Sequence, residues 1–241
     1  MNNTASNIIS WYIQINRARR WLADPPVQSS LDNIFYHSAT NIKRYEIKYE
    51  CDLYQQIHML KYLGPWFVDY PTRIINSLYY DTNELLLFHH NEDGIVPRIK
   101  LRKRWYGENY CPNSISMFEI KGTFDNCRKK TLFNPSEYYK IINKLNYDKI
   151  NFSSLIPISV VKYNRKYYKN SKNIRLTVDQ PIYYSKFQNG SSSLSWVKDT
   201  SYVFEFKTDS KALSEMIKQN IPYQNTKFSK YARSVELLGF L

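Results

Sequence analysis

The sequence predicts an α+β domain, mostly antiparallel β, closed into a barrel with charge inside, apolar residues outside and helices flanking it. Three observations predict it. The first is the stretch Arg98-Ile-Lys-Leu-Arg-Lys-Arg-Trp-Tyr-Gly107. Successive side chains of a strand point to opposite faces. Arg98, Lys100, Arg102 and Arg104 therefore form a row on one face, opposite Ile99, Leu101 and Trp105. Lys103 breaks the alternation and is expected to point outward and to matter least. The second observation is that the pattern recurs. Arg44, Glu46 and Lys48 oppose Tyr45, Ile47 and Tyr49, and Glu119 and Lys121 oppose Phe118 and Ile120. Arg175, Thr177 and Asp179 oppose Ile174, Leu176 and Val178, while Glu205 and Lys207 oppose Phe204 and Phe206. The third is the content of the charged faces, where Glu-x-Lys pairs recur among arginines, a mix unlike that of a solvated sheet. Closure removes the edge strands. A charged interior is costly if dry, so the cations must face water or a partner that supplies negative charge.

Taken in order, residues 1–40 stand apart. Ile8, Ile9, Trp11, Tyr12 and Ile15 precede Arg17, Arg19 and Arg20, and Asp24-Pro-Pro26 closes a segment that reads as a short amphipathic helix and linker. Packing on the domain, disorder and docking on a membrane surface are its three readings. Residues 41–241 are expected to form one domain. Runs rich in Tyr, Ile, Phe and Val predict strands at 43–50, 76–81, 84–89, 96–106, 115–122, 157–168, 173–180 and 201–207. Helical patterns fall near 52–62, 135–145 and 210–219, the last behind an Asp209-Ser210 cap. The stretch Asn189-Gly-Ser-Ser-Ser193 is a local loop.

Composition bounds the partners. The formal charge of +13 over 241 residues points to a polyanion: phosphate compounds, nucleic acid or an anionic membrane surface. Cys51, Cys111 and Cys127 lack metal-type spacing, which fits free thiols in a reducing compartment. Met1 to Ser10 lacks the charged start of a secretory signal. No apolar run reaches the roughly 20 residues that span a bilayer. A cytoplasmic protein is expected, with peripheral attachment to a membrane or a membrane-protein partner left open, as is the oligomeric state.

A set of motifs runs through residues 44–231 in order. They are Arg44-Tyr-Glu-Ile-Lys-Tyr49, Ser77-Leu-Tyr-Tyr-Asp-Thr82, the Arg98–Gly107 stretch and Phe118-Glu-Ile-Lys121. Tyr163-Asn-Arg165, Arg175-Leu-Thr-Val-Asp179, Phe204-Glu-Phe-Lys207 and Lys227-Phe-Ser-Lys-Tyr231 complete the set. In these the chain resembles the catalytic domain of the vacuolar transporter chaperone (VTC) polyphosphate polymerases, within the triphosphate tunnel metalloenzyme (CYTH-like) superfamily. The resemblance implies a tunnel of eight antiparallel strands that binds ATP and elongating polyphosphate. It implies that Lys48, Arg102, Arg104, Lys121, Arg165 and Arg175 line the tunnel as catalytic phosphate contacts. Arg98, Lys100, Lys207, Lys227, Ser229 and Lys230 would bind substrate as well. Glu205, with Glu119 as second candidate, would hold a divalent metal, Mn2+ or Mg2+. Arg44 stands where the wider superfamily has the first carboxylate of a Glu-x-Glu-x-Lys strand, which favours the VTC branch over a plain triphosphatase.

Phosphoryl transfer needs mainly positioning and charge stabilisation, and arginine forks with lysine point charges suit it. The expected reaction is transfer of the γ-phosphoryl group of ATP to inorganic phosphate or polyphosphate. The alternatives are hydrolysis of tripolyphosphate or a nucleoside triphosphate in the same tunnel, and a non-catalytic polyphosphate-binding module. Duplex nucleic acid is not an expected partner, because it would need the basic residues on an outer surface.

Overall fold

Alternation builds the sheet, because it gives each strand one face to bury against a helix layer. The computed structural model describes residues 45–108, 116–124, 127–147, 150–188 and 195–241. Residues 1–40, Arg44, Cys111 and the 189–193 loop lie outside the described residues. The strands are β1 (Tyr45–Cys51), β2 (Val68–Asp81), β3 (Arg98–Tyr106), β4 (Met117–Phe124), β5 (Cys127–Phe133), the short β6 (Asn146–Tyr147) and β7 (Ile150–Asn151), β8 (Ile156–Lys169), β9 (Arg175–Lys186), β10 (Val197–Lys198) and β11 (Tyr202–Thr208). The helices are α1 (Leu53–Leu63), α2 (Leu86–Glu92), α3 (Pro135–Ile141), α4 (Lys211–Asn220) and α5 (Lys230–Leu237).

The main sheet runs β1-β11-β9-β8-β2-β3-β4-β5, with β10 added on β9, and all its pairs are antiparallel. The expected closed barrel is corrected here. The sheet curls into an open half-barrel, and β1 and β5 are its two edges. The physical reason lies in α5. Its Tyr231, Ala232 and Val235 pack with Phe228 against Ile75, Tyr79, Val161, Tyr163, Ile182, Tyr184 and Val203. The sheet thus wraps a helix over part of its concave face, and that part of the interior is apolar rather than charged.

The outer face follows the expected pattern. Ile47, Tyr49, Leu176, Val178, Phe204 and Phe206 are buried beneath α1 and α4 through Met59, Leu63, Ile217 and Ile221. Ile99, Leu101, Phe118 and Ile120 pack under α3 and the β6–β7 ribbon, where Phe118 stacks on Tyr138 with ring centroids 3.8 Å apart. Lys103 faces this outer layer, as expected, yet it is only 7% exposed, with its ammonium 5.8 Å from the Phe118 ring centre. Its alkyl stem packs like an apolar side chain.

One local expectation needs revision, and two elements are additional to those expected. The segment 84–89, read as a strand, enters helix α2. Its leucines are strong helix formers and it holds no β-branched residue. Asp81 at the end of β2 accepts hydrogen bonds from the backbone N–H of Leu87 (2.8 Å) and Phe88 (2.9 Å), while the Leu86 N–H donates to Thr82 Oγ1 (3.1 Å). Strand β5 was not foreseen, because the Arg-Lys-Lys run of 128–130 hides any alternation. Helix α5 begins within the Lys227–Tyr231 motif, where Ser229 caps it, and its buried Tyr231, Ala232 and Val235 share one face.

Asp81 also accepts a hydrogen bond from the Tyr231 hydroxyl, which fixes α5 to β2 and α2. Tyr231→Phe removes that bond to a buried acidic group and should lower stability by about 1.5–3 kcal/mol. Urea denaturation monitored by circular dichroism reads the difference, and an unchanged midpoint would contradict the anchoring role.

Candidate functional site: a cationic concave face

The side chains that the strands turn inward beyond the apolar floor are almost all charged. On β3 these are Arg98, Lys100, Arg102 and Arg104, and on β4 they are Glu119 and Lys121. The carboxylate of Glu119 is 1% exposed and accepts an ion pair from Arg102. It also has Lys130 at 3.1 Å, Lys121 at 3.4 Å and Arg104 at 3.7 Å. Burial opposes its ionisation, but Arg102, Lys121, Arg104 and Lys130 outweigh that and hold the carboxyl well below the ordinary value. Arg102, with Arg104 and Lys207, forces the Lys121 ammonium down from its usual range.

A second cluster forms across the concavity on β8, β9, β11, β1 and the start of α5. Arg165 grips Asp179 with two parallel hydrogen bonds, Nε to Oδ1 at 2.6 Å and a terminal nitrogen to Oδ2 at 2.7 Å. Lys230 donates to the same Asp179, which has no exposure. Glu205 meets Lys207 at 2.9 Å and Arg165 at 3.8 Å, and the register places it directly opposite Lys48 on β1 and Thr177 on β9. Desolvation disfavours its charge, yet Lys207, Lys48 and Arg165 hold its carboxyl well below the ordinary range. Lys207 also lies 3.7 Å from Glu46.

Tyr163 joins the two clusters. Its hydroxyl accepts from Arg104 at 3.1 Å, and its ring lies 5.3 Å from the Arg165 guanidinium and 4.7 Å from the Lys230 ammonium. At the inner end, Lys48 donates to the Phe228 carbonyl and Lys100 to the Ser229 hydroxyl, both at 2.9 Å. Burial pushes the Lys100 ammonium down to about 7, helped by Lys48, Arg98 and Arg102. The N-terminus of α5 opens at the same place and adds positive potential.

The structure thus gathers Lys48, Lys100, Arg102, Arg104, Lys121, Arg165, Lys207, Ser229 and Lys230 around one concavity. Arg98 stands half-buried at the start of β3, Arg175 is exposed and directly opposite Lys207 in the β9–β11 ladder, and Lys227 is exposed one residue before Phe228, whose carbonyl accepts from Lys48. Residues that sequence reasoning missed are Lys130, Arg73, Tyr79 and Tyr163. Lys130 sits on the unforeseen strand, and Arg73 precedes the predicted start of β2. Tyr79 accepts from Arg102 at 3.1 Å and stacks on Tyr231, an arrangement only the tertiary fold creates.

A metal held by protein groups alone is not supported, since no group of three His, Cys, Asp or Glu side chains among the described residues could hold one. A cation that shares its ligands with substrate phosphates needs only one or two carboxylates. Glu205 fits that role better than Glu119, which four cations surround. Beside it, the buried Thr177 hydroxyl has no hydrogen-bond partner among the described residues.

The VTC domain family model matches residues 35–146 and 129–239. The chain belongs to the VTC domain family. Among solved structures it is similar to an adenylyl cyclase candidate from Hippeastrum with a dominant triphosphatase activity, at 15% identity and a TM-score of 0.48 over 80% of this chain and 96% of that one. It is similar to an adenylate cyclase candidate from Bacillus halodurans at 13% identity and a TM-score of 0.47, covering 82% and 99%. An inorganic triphosphatase matches at 10% identity and a TM-score of 0.30, covering 80% and 93%. No curated protein matches the sequence. Family membership supports an enzyme acting on triphosphate or polyphosphate, in a class that generally depends on a divalent metal. No helix among the described residues is long and apolar enough to cross a membrane.

The buried carboxylates imply an acid-sensitive wall. A carboxyl depressed in the folded state contributes stability above its unfolded value, about 4.5 for Glu119, and loses it as pH falls toward the folded value. Glu119→Gln should cost about 3 kcal/mol at pH 7 by leaving the cations uncompensated. Urea titrations should show that gap narrowing by about pH 3. A gap that stays constant with pH would contradict the charge-based account.

Proposed function

We propose that this VTC-family chain is an ATP-polyphosphate phosphotransferase, which extends inorganic polyphosphate on its concave cationic face. The observation that carries the reading is the continuous wall of Arg102, Arg104, Lys121, Arg165 and Lys230, ordered by Glu119 and Asp179 at contact distance. Cations outnumber carboxylates there, a surplus that suits a second phosphate chain beside a chelated triphosphate.

Arg102 and Arg104 offer planar donor forks to the phosphates from β3, and Arg165 does so from β8. Lys48, Lys121, Lys207 and Lys230 add point charges. A terminal phosphate oxygen of the acceptor attacks the γ-phosphorus, a P–O bond forms, and the bond to the β-phosphate bridging oxygen breaks. ADP leaves with the negative charge of that oxygen, and the surrounding cations stabilise it as it develops. Glu205, with Thr177 beside it, would hold Mn2+ or Mg2+ bound to the nucleotide, and the ion would neutralise charge on the β and γ oxygens. The packing of α5 beside Tyr163 on the inner face would shield one side of bound phosphates from water, which supports a phosphate acceptor. Arg44, in place of a carboxylate that could activate water, supports the same choice.

Purified protein incubated with ATP and Mn2+ should give a polyphosphate ladder on a gel, and Glu205→Gln should lower its formation at least about 100-fold. Release of orthophosphate without a ladder would overturn the polymerase reading in favour of hydrolysis. Binding of polyphosphate without turnover in the native sequence would leave only the binding module.

A further inference from the structure

Tyr79, Tyr184 and Tyr231 are buried together in the apolar floor that α5 covers. A buried phenol needs an acceptor for its proton. The Tyr184 hydroxyl donates to Asp199 at 2.9 Å, and that of Tyr231 donates to Asp81. Tyr79 differs from both. Its oxygen accepts from a terminal nitrogen of Arg102 at 3.1 Å, and among the described residues nothing accepts its proton. Tyr79 on β2 is directly opposite Arg102 on β3, so both turn to the concave face. Its ring stacks on Tyr231 at 5.1 Å and is 5% exposed, which keeps the hydroxyl beside Arg102, where floor meets wall.

Arg102 carries a second unmet donor, since its Nε–H is buried without a hydrogen-bond partner. The nearby carboxylate cannot serve either group, because Glu119 already faces Arg102, Lys130, Lys121 and Arg104. Two donors without acceptors at one point of a cationic wall mark a place where acceptors come from outside the chain. A purely structural role, in which Tyr79 only braces Arg102, accounts for the bond that Tyr79 accepts. It does not account for the proton that Tyr79 holds.

We infer that Tyr79 is a further substrate contact, whose hydroxyl accepts from Arg102 and donates to a non-bridging phosphate oxygen. This rests on the triphosphate and polyphosphate reading given above and adds a neutral donor to its cations. A hydroxyl at this point gains a phosphate contact without the repulsion that one more cation would meet from Arg102, Arg104 and Lys121.

Binding calorimetry with inorganic tripolyphosphate in EDTA tests it on the native sequence, Tyr79→Phe, Arg102→Lys and the double variant. Phenylalanine keeps the ring on Tyr231, while lysine keeps a charge for Glu119 and gives up the bond to Tyr79. Tyr79→Phe should weaken binding about ten-fold or more, in the native sequence and in Arg102→Lys alike. A loss that vanishes in the Arg102→Lys background overturns the contact, because a brace acting only through Arg102 gives that result. Should circular dichroism show that Tyr79→Phe does not fold, fluorotyrosine at position 79 keeps both ring and hydroxyl. Its fluorine resonance should then move with tripolyphosphate saturation, and a resonance that stays in place overturns the contact. If the native sequence does not bind tripolyphosphate, the triphosphate reading falls and the contact falls with it. Native binding that Tyr79→Phe leaves unchanged removes the contact alone.

Discussion

The structure depends on one electrostatic constraint: cations from neighbouring strands must be held side by side on a concave face. Directly opposite strand positions bring side chains within about 5 Å, and like charges at that distance repel. Lys100 opposite Lys121 shows the problem in its plainest form. Buried carboxylates offset it. Glu119 binds the β3–β4–β5 cations, Asp179 binds Arg165 and Lys230, and Glu205 binds Lys207 beside Arg165. Each carboxylate fixes the direction of an arginine or lysine without cancelling the surplus charge. The wall is therefore preorganised for an anion and remains attractive to one.

The second support is apolar. Helix α5 fills the inner end of the half-barrel and ties the site to the fold through a chain of contacts. Asp81 holds the Tyr231 hydroxyl, Tyr231 stacks on Tyr79 at 5.1 Å, Tyr79 accepts from Arg102, and Arg102 pairs with Glu119. The same helix presents Ser229 and Lys230 at its N-terminal end, where Lys100 and Asp179 meet them. Packing of one short helix thus positions cations on both halves of the concavity.

Much of this was legible in the sequence, for a physical reason. Period-two alternation of charge and apolar residues reports which strand face meets the outer helices, so the inward row Arg98–Arg104 and the Glu-x-Lys strands could be read directly. Lys103 broke the pattern and pointed outward as expected, but its burial beside Phe118 depends on a helix layer that alternation does not describe. Closure was not legible. The sheet's inner surface is partly taken by Tyr231, Ala232 and Val235, residues far along the chain from the strands they meet. Lys130 escaped because edge-strand lysines carry no periodic signal, and Tyr163 because its role comes from neighbours on two other elements as well as its own strand. Clusters of this kind are tertiary facts, invisible to local pattern.

The central claim is that the inward face, and not the basic surface at large, binds phosphate chains. Thermal denaturation with added tripolyphosphate tests it most directly, because a ligand that binds only the folded state raises its stability. Two variants on the same strand separate the faces: Arg165→Ala on the inner face, and Lys162→Ala on the outer face, where Lys162 meets Glu108 at 2.7 Å. A saturable rise in Tm in the native sequence that persists in Lys162→Ala and is lost in Arg165→Ala is the predicted result. A rise that survives in Arg165→Ala, or one that disappears equally in both variants, would contradict the account.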